Sequence, residues 1–284
     1  MAIKNFINTV FAANLIEALR KIHVFASVAD RSYQGQITAL GDKVKINQVS
    51  DVTINAYSKD SDIALQDLDD AASELTIDQA YYFAFKANDI EAIQRKGAIL
   101  SASQNKAAYG LANTVDSYIA GLYAQAGLTS YATGTTPWDV TSLNVIDVLL
   151  DIKEKMARVP QQGRFLIVPE WFHGKLNLAG LTTKSDNNAI FTNGMVDRIE
   201  GFDILVSENV SASTGTPTWD QTRILGGVRG ASWAFADGVN EVEAYRPEKR
   251  FEDAVKGLYL FGAKVLRPDM TVCAYCDKTA EASS

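Results

Sequence analysis

Residues 88–127 read NDIEAIQRKGAILSASQNKAAYGLANTVDSYIAGLYAQAG, and their reading decides the fold. Asn88 is a good N-cap, and Glu91 stands three residues on, the spacing of a capping box. Apolar or small residues then recur at helical intervals: Ile93, Gly97, Leu100, Ala107, Leu111, Val115, Tyr118 and Leu122. No proline interrupts, and Gly127 stands where a left-handed residue would close the run. One unbroken helix over this stretch would be about 55 Å long, too long for one ordinary core to cover. Gly97, Ala98, Ala102, Ala107, Ala108, Gly110, Ala112 and Ala120 let other backbone approach closely. The stretch is therefore a spine on which sheet elements are mounted. Its shortage of leucine argues against a coiled coil.

Upstream, the period changes from helix to strand. Val44 and Ile46 alternate with Lys43, Lys45 and Asn47, and Val52 and Ile54 alternate with Thr53 and Asn55, which predicts a hairpin turning at 48–51. An acidic stretch follows, with Asp60, Asp62, Asp67, Asp69 and Asp70. Residues 74–86 then predict one strand about 40 Å long. Leu75, Ile77, Tyr81, Phe83 and Phe85 lie on one face, against Glu74, Thr76, Asp78, Tyr82 and Lys86 on the other. Such an arm has little core of its own and needs another surface to hold it. Before the arm, a helix over 14–21 carries an apolar face of Phe11, Leu15, Ile16 and Leu19, with nothing beside it in sequence to pack on.

Downstream, 128–138 is a loop rich in Gly, Thr and Pro and marks a domain boundary. Thr141 or Ser142 caps a second helix with Leu143, Ile146, Leu150 and Ile152 inward, ending at Pro160. The wholly apolar run 165–168 (FLIV) is a central buried strand, and Pro169 opens a short helix with Trp171 and Phe172. Residues 195–199 and 202–207 pair across Glu200-Gly201. Ile224-Leu225 leads into Gly226, Gly227 and Gly230, then into an apolar segment at 231–236. Residues 140–237 thus form an α/β layer. Strand returns over 239–276, with a charged turn at Pro247, Glu248, Lys249 and Arg250. Alternation over 258–266 sets Leu258, Leu260 and Leu266 against Tyr259, Phe261 and Val265, bringing the chain back to the sheet beside the spine.

The totals exclude several classes of function. The 284 residues are 47% hydrophobic and 21% charged, an ordinary globular balance. The formal net charge of −7 argues against a surface built to grip nucleic acid. The apolar N-terminal run is broken by Asn8 and Asn14 and followed by Glu17, so no secretory signal is expected, and no stretch approaches the length of a membrane span. Cys273 and Cys276 have Cys-x-x-Cys spacing, but a zinc site needs four ligands and only His23 and His173 could join them. They read as two small buried residues. The three glycines at 226–230 lack the Lys-Ser or Lys-Thr of a phosphate loop, so close packing or a turn is expected. The acidic run lacks the glycine and terminal glutamate of a calcium loop. No nucleophile elbow is present. Neither a cofactor, a metal nor catalysis is expected. What remains is a shape that completes itself by contact with copies of itself.

Several phrases, in order, resemble the major capsid (coat) protein of tailed double-stranded DNA bacteriophages. They are FAANLIEALRKIHVFASVADRSYQGQI at 11–37, GDKVKI at 41–46, GFDILVSENV at 201–210 and, most tellingly, GVRGASWAFADGVNEVEAYRPEKRFEDAVKGLYLFGAKVLRPDM at 227–270. The resemblance implies an α+β tailed-phage capsid fold. It would comprise an N-terminal arm at 1–35, an extended β-loop at 36–87 and a peripheral domain with the spine helix at 88–137 and 238–276. An axial domain would occupy 138–237 and a tail 277–284. It implies no enzyme activity and self-assembly into pentamers and hexamers of an icosahedral shell enclosing double-stranded DNA. A separate scaffolding protein, a portal and a decoration protein would be the partners, with no membrane. The virion, and host cytoplasm during assembly, would be its locations. Lys43, Lys45, Tyr81, Phe83, Phe85, Arg246, Lys249 and Arg250 are the candidate inter-subunit contacts. The alternatives are an encapsulin-like compartment shell and a hydrolase using His173.

Overall fold

The structure is a computed structural model that describes residues 23–33, 41–49, 54, 56, 70–88, 98–131, 136–180, 195–216, 219–245 and 252–278. The spine is helix α1, Ala98–Ala120, continued by a 3-10 turn at Gly121–Gln125. Its 23 residues make it about 35 Å long. Ala108, Leu111, Ala112, Val115 and Ile119 are buried at the i, i+3, i+4, i+7 spacing, with Ala120 buried at the helix end, while Tyr109 is exposed. The helix has no acidic residue in its first turn and no basic residue in its last, so packing rather than dipole compensation holds it. Asn88 does not cap it, because Asn88 is the last residue of a strand paired to Glu252; 89–97 lie outside the described residues. Gly127 is not a left-handed cap either. It is where the chain crosses other backbone: its N–H donates to the Pro268 carbonyl at 2.9 Å, and a Cβ there would collide with the same carbonyl.

One face of α1 packs on a three-stranded antiparallel sheet, ordered β11-β12-β3, with β3 Gln79–Asn88, β11 Trp233–Tyr245 and β12 Glu252–Val265. The alternation in β12 divides as the sequence predicts. Tyr259, Phe261, Ala263 and Val265 face the core beneath α1. Leu260, with Leu258 and Leu266, faces a separate cluster on the other side. That second cluster is the seat of the arm. Strand β1, Lys43–Val49, pairs antiparallel with β2, Asp70–Thr76, from Lys43↔Thr76 to Val49↔Asp70.

Two expectations for the arm are corrected. Strand β1 pairs with β2 rather than with 52–54, and Ile54 is 95% exposed. The single strand over 74–86 is two, broken at Ile77-Asp78, because β2 belongs to the arm and β3 to the sheet under it. The arm's base also has a core within its own chain: Val44, Ile46, Leu75 and Ile77 are buried against Ala234, Ala236 and Leu260.

The second sheet has eight strands: β4 Leu128–Ser130, β5 Trp138–Val140, β6 Arg164–Val168, β7 Met195–Ile199, β8 Phe202–Val206, β9 Ala212–Thr216, β10 Trp219–Val228 and β13 Val272–Lys278. Its main order is β4-β13-β10-β6-β8-β7, with β5 beside β13 and β9 beside β10. Helices α2, Val145–Lys155, and α3, Glu170–Leu178, cover one face. The core under α1 covers the other. This explains the unbroken apolar run of β6, where Phe165 and Ile167 enter one core and Leu166 and Val168 the other. Strands β7 and β8 meet at Glu200 (φ 52°) and Gly201 (φ 90°), the paired positive dihedrals of a tight hairpin turn. Gly226 and Gly227 lie inside β10, where a Cβ would strike Leu166 and Ser232 respectively. Close packing, not phosphate binding, accounts for both.

Three further corrections concern this lobe. The predicted loop at 128–138 contributes β4 and the first residue of β5, both drawn into parallel pairing with β13. Leu143 is 89% exposed and Leu150 is also exposed; α2 begins after Asn144 and buries Val145, Val148, Leu149 and Ile152, a stripe rotated from the predicted one. Strand β13 does not return to the sheet beside the spine but inserts between β4 and β10. Buried Arg164 finishes α2, its guanidinium donating to the carbonyls of Met156, Val159 and Pro160. Burial lowers its pKa from the usual arginine value.

Candidate assembly surfaces

The arm leaves the body at a set of short-range locks. The N–H of Gly41 donates to the Ile77 carbonyl at 2.9 Å, and the N–H of Ile77 donates to Asp42 at 3.1 Å. Lys264 Nζ on β12 donates to the Glu74 carbonyl at 3.0 Å. Gly262 lies directly under the arm, where a Cβ would collide with the Thr76 carbonyl oxygen. Tyr118 of α1 donates to both carboxylate oxygens of Asp78 at 2.9 and 3.2 Å, and its ring stands edge-on to Phe261. Spine, sheet and arm thus converge at Ile77-Asp78.

This junction has a pH signature. Burial, and then the bond to Asp78, push the Tyr118 hydroxyl up to about 12. Burial and Asp237 raise Tyr259, and burial raises Tyr275. A phenol whose folded pKa is raised contributes stability that is complete below its unfolded value of about 10 and is lost as pH climbs through the folded value. The urea midpoint is therefore expected to hold up to about pH 9 and fall between about pH 10 and about pH 12. Tyr118→Phe should flatten part of that fall, and an unchanged curve would contradict the assignment.

Lys43 and Lys45 are exposed along β1. Lys43 pairs with Glu74 at 2.8 Å; that hydrogen bond and charge raise the lysine pKa and lower the glutamate's. Tyr81 stacks on Phe261 with 5.6 Å between ring centroids while remaining 40% exposed. Phe83 covers Gly257 and packs against the core under α1. The backbone of Phe85 pairs with Val255; its side chain lies outside the described residues. Arg246, Lys249 and Arg250 lie outside them as well, as do the predicted N-terminal helix and the acidic run 60–69.

Tyr82 is an exposed aromatic that the candidate contacts omit. Alternation puts it on the polar face of 74–86, where it is 81% exposed beside Leu258 of β12. A large aromatic on the polar side of an amphipathic strand was the available signal. Tyr109, Leu143, Leu150 and Leu178 are further exposed apolar side chains.

The cysteines and histidines lie within packed structure, and both ring nitrogens of His23 and Nε2 of His173 are buried without a hydrogen-bond partner. Both cysteines are buried, free thiols in β13, and burial pushes Cys273 up to about 12 and Cys276 higher still. His23 sits 3.4 Å from Asp116, both buried. His173 approaches Asn177 of its own helix at 3.5 Å. No group of three or more metal-ligating side chains occurs among the described residues, and none of their helices is long and apolar enough to cross a membrane.

Comparison with known proteins gives a consistent result. The phage capsid protein family matches residues 73–274. No curated protein sequence matches the chain. Among solved structures, a chain of Mycobacterium phage Che8 is similar at TM-score 0.68 and 24% identity, covering 89% of this chain and 90% of that one. The capsid of cyanophage P-SCSP1u is similar at TM-score 0.66 and 18% identity, covering 93% and 90%. The holo-SrpI encapsulin of Synechococcus elongatus PCC 7942 is similar at TM-score 0.55 and 12% identity, covering 87% of each.

Proposed function

The chain belongs to the phage capsid protein family, and from that premise we propose how this shell-forming major capsid protein works: its copies group into pentamers and hexamers that close an icosahedral head around double-stranded DNA. The observation that carries this reading is the family match over 73–274, joined to an arm whose base is seated on its own sheet. The arm at 36–87 reaches over a neighbouring subunit, with Lys43 and Lys45 as contacts. The spine and three-stranded sheet make the peripheral domain, and the eight-stranded sheet with α2 and α3 the axial domain. Strand β3, which carries Tyr81, Phe83 and Phe85, serves subunit contact, and the basic turn at Arg246, Lys249 and Arg250 docks on an acidic patch of another copy. A scaffolding protein, a portal and a decoration protein are the partners, and assembly takes place in host cytoplasm before the subunit becomes part of the virion. The net charge of −7 limits adhesion to DNA that must later leave.

A second reading, an encapsulin-like compartment, is supported by the similarity to the SrpI encapsulin. Contents separate the two. Particles from the culture that naturally produces the chain should carry nuclease-protected double-stranded DNA of one length. Particles holding a folded cargo protein and no protected DNA would favour the compartment.

A further inference from the structure

Strands β1 and β3 both present an edge with no second strand beside it among the described residues, and the chain treats the two differently. An open edge is a template for another chain, and proteins usually blunt it with charges, proline or a bulge. Strand β1 follows that practice with exposed Lys43 and Lys45. Strand β3, QAYYFAFKAN, has one charge in ten residues, no proline and an unbroken register with β12. Ala80, Tyr82 and Ala84 are all exposed along the face away from α1, next to the seat of the arm.

From this contrast we infer that the β3 edge is an interface between two copies of this chain, joined antiparallel, β3 to β3, about a twofold axis. The inference rests on the shell reading above, which supplies the second copy. An isologous contact needs a surface that complements itself. A twofold normal to the sheet keeps each face on its own side, so it places residues of equal parity opposite one another. Registers centred on Phe83 or on Ala84 each pair nine of the ten residues. They set Lys86 against Ala80 or against Tyr82, so no like charges meet, and they line up Tyr82 with Ala84 or with Lys86. The result is one continuous six-stranded sheet across two subunits.

The test uses full-length chain assembled into particles. In Ala84→Cys, the register centred on Ala84 brings the two new thiols opposite each other. In the double variant Tyr82→Cys/Ala84→Cys, the register centred on Phe83 does the same between positions 82 and 84. Under a mild disulfide oxidant, at least one variant should run as a covalent dimer on non-reducing gels from particles and as a monomer from dissociated subunits. The parent, whose Cys273 and Cys276 are buried, should stay monomeric in both. Tyr82→Lys/Ala84→Lys, which sets like charges opposite each other in either register, should abolish particles while circular dichroism of the subunit is unchanged. Particles that form normally from the cysteine variants yet yield no dimer, or normal particle yield from Tyr82→Lys/Ala84→Lys, overturn the β3 contact and leave the shell reading standing. Absence of particles from the parent chain, even when co-produced with a scaffolding protein, would overturn both.

Discussion

Asp116→Ala is expected to destabilise the subunit by about 3 kcal/mol, because it takes the acceptor from two backbone N–H groups, one of them fully buried. The Asp116 carboxylate accepts from the N–H of Val24 at 2.9 Å and from that of Ala26 at 3.4 Å, and it is buried with His23 alongside. It ties the start of the described chain to the middle of the spine, some ninety residues away. Ala26 is buried, so its N–H loses its partner outright, while the N–H of half-buried Val24 loses the shorter of the two bonds. Asp116→Asn keeps one acceptor oxygen and should lose less. Urea midpoints of the unassembled subunit measure both. A loss under about 0.5 kcal/mol for the alanine variant would mean that the carboxylate is not the clamp.

Trp233→Ala is expected to cost about 4 kcal/mol, the usual range for emptying a large aromatic site in a core. Trp233 meets Phe165 edge-on at 5.1 Å, and its Nε1–H donates to the Phe25 carbonyl at 3.3 Å. The backbone around it holds the same segment: the N–H of Asp30 donates to the Trp233 carbonyl, and that of Phe235 to the Asp30 carbonyl, both at 2.9 Å. Trp233→Phe refills most of the volume and should lose about 1 kcal/mol, chiefly the hydrogen bond. Hydrogen exchange offers a second reading, since amides of 24–30 should lose protection in Trp233→Ala more than those of β6. Asp116 and Trp233 hold the same strip of chain, so their double variant should be less damaging than the sum of the two singles. Strict additivity would contradict a shared clamp.

These two predictions concern a segment the sequence leaves almost blank. Phe25, Ala26 and Val28 are core residues, yet nothing local marks 23–33 as more than a linker after an apolar helix. Its partners, Asp116 and Trp233, are about 90 and 200 positions away. Patterns decided nearby were legible: the double-sided burial of β6, the turn at Glu200-Gly201 and the two faces of β12 each follow from a few consecutive residues. Patterns decided at long range were not. Nothing in KVKINQV says that its partner lies past twenty further residues rather than just after a turn. The two-residue step at Ile77-Asp78 is visible only once β2 and β3 are known to join different sheets. The phase of α2 failed for another reason: Leu143 is as apolar as Val145, and only the start of the helix after Asn144 decides which enters the core.

The contact residues divide in the same way. Alternation placed Tyr81 and Phe83 on one face correctly, but which face is covered depends on α1 and Phe261, which lie elsewhere in sequence. The covered face turns out to carry Phe83, and the open one Tyr82.

The most direct measurement is electron microscopy of the purified full-length chain with light scattering on the same sample, alone and co-produced with a scaffolding protein. Closed shells tens of nanometres across, or rings of five and six subunits, are the predicted result. A monodisperse monomer or dimer at every concentration, with the scaffolding protein present, would contradict it.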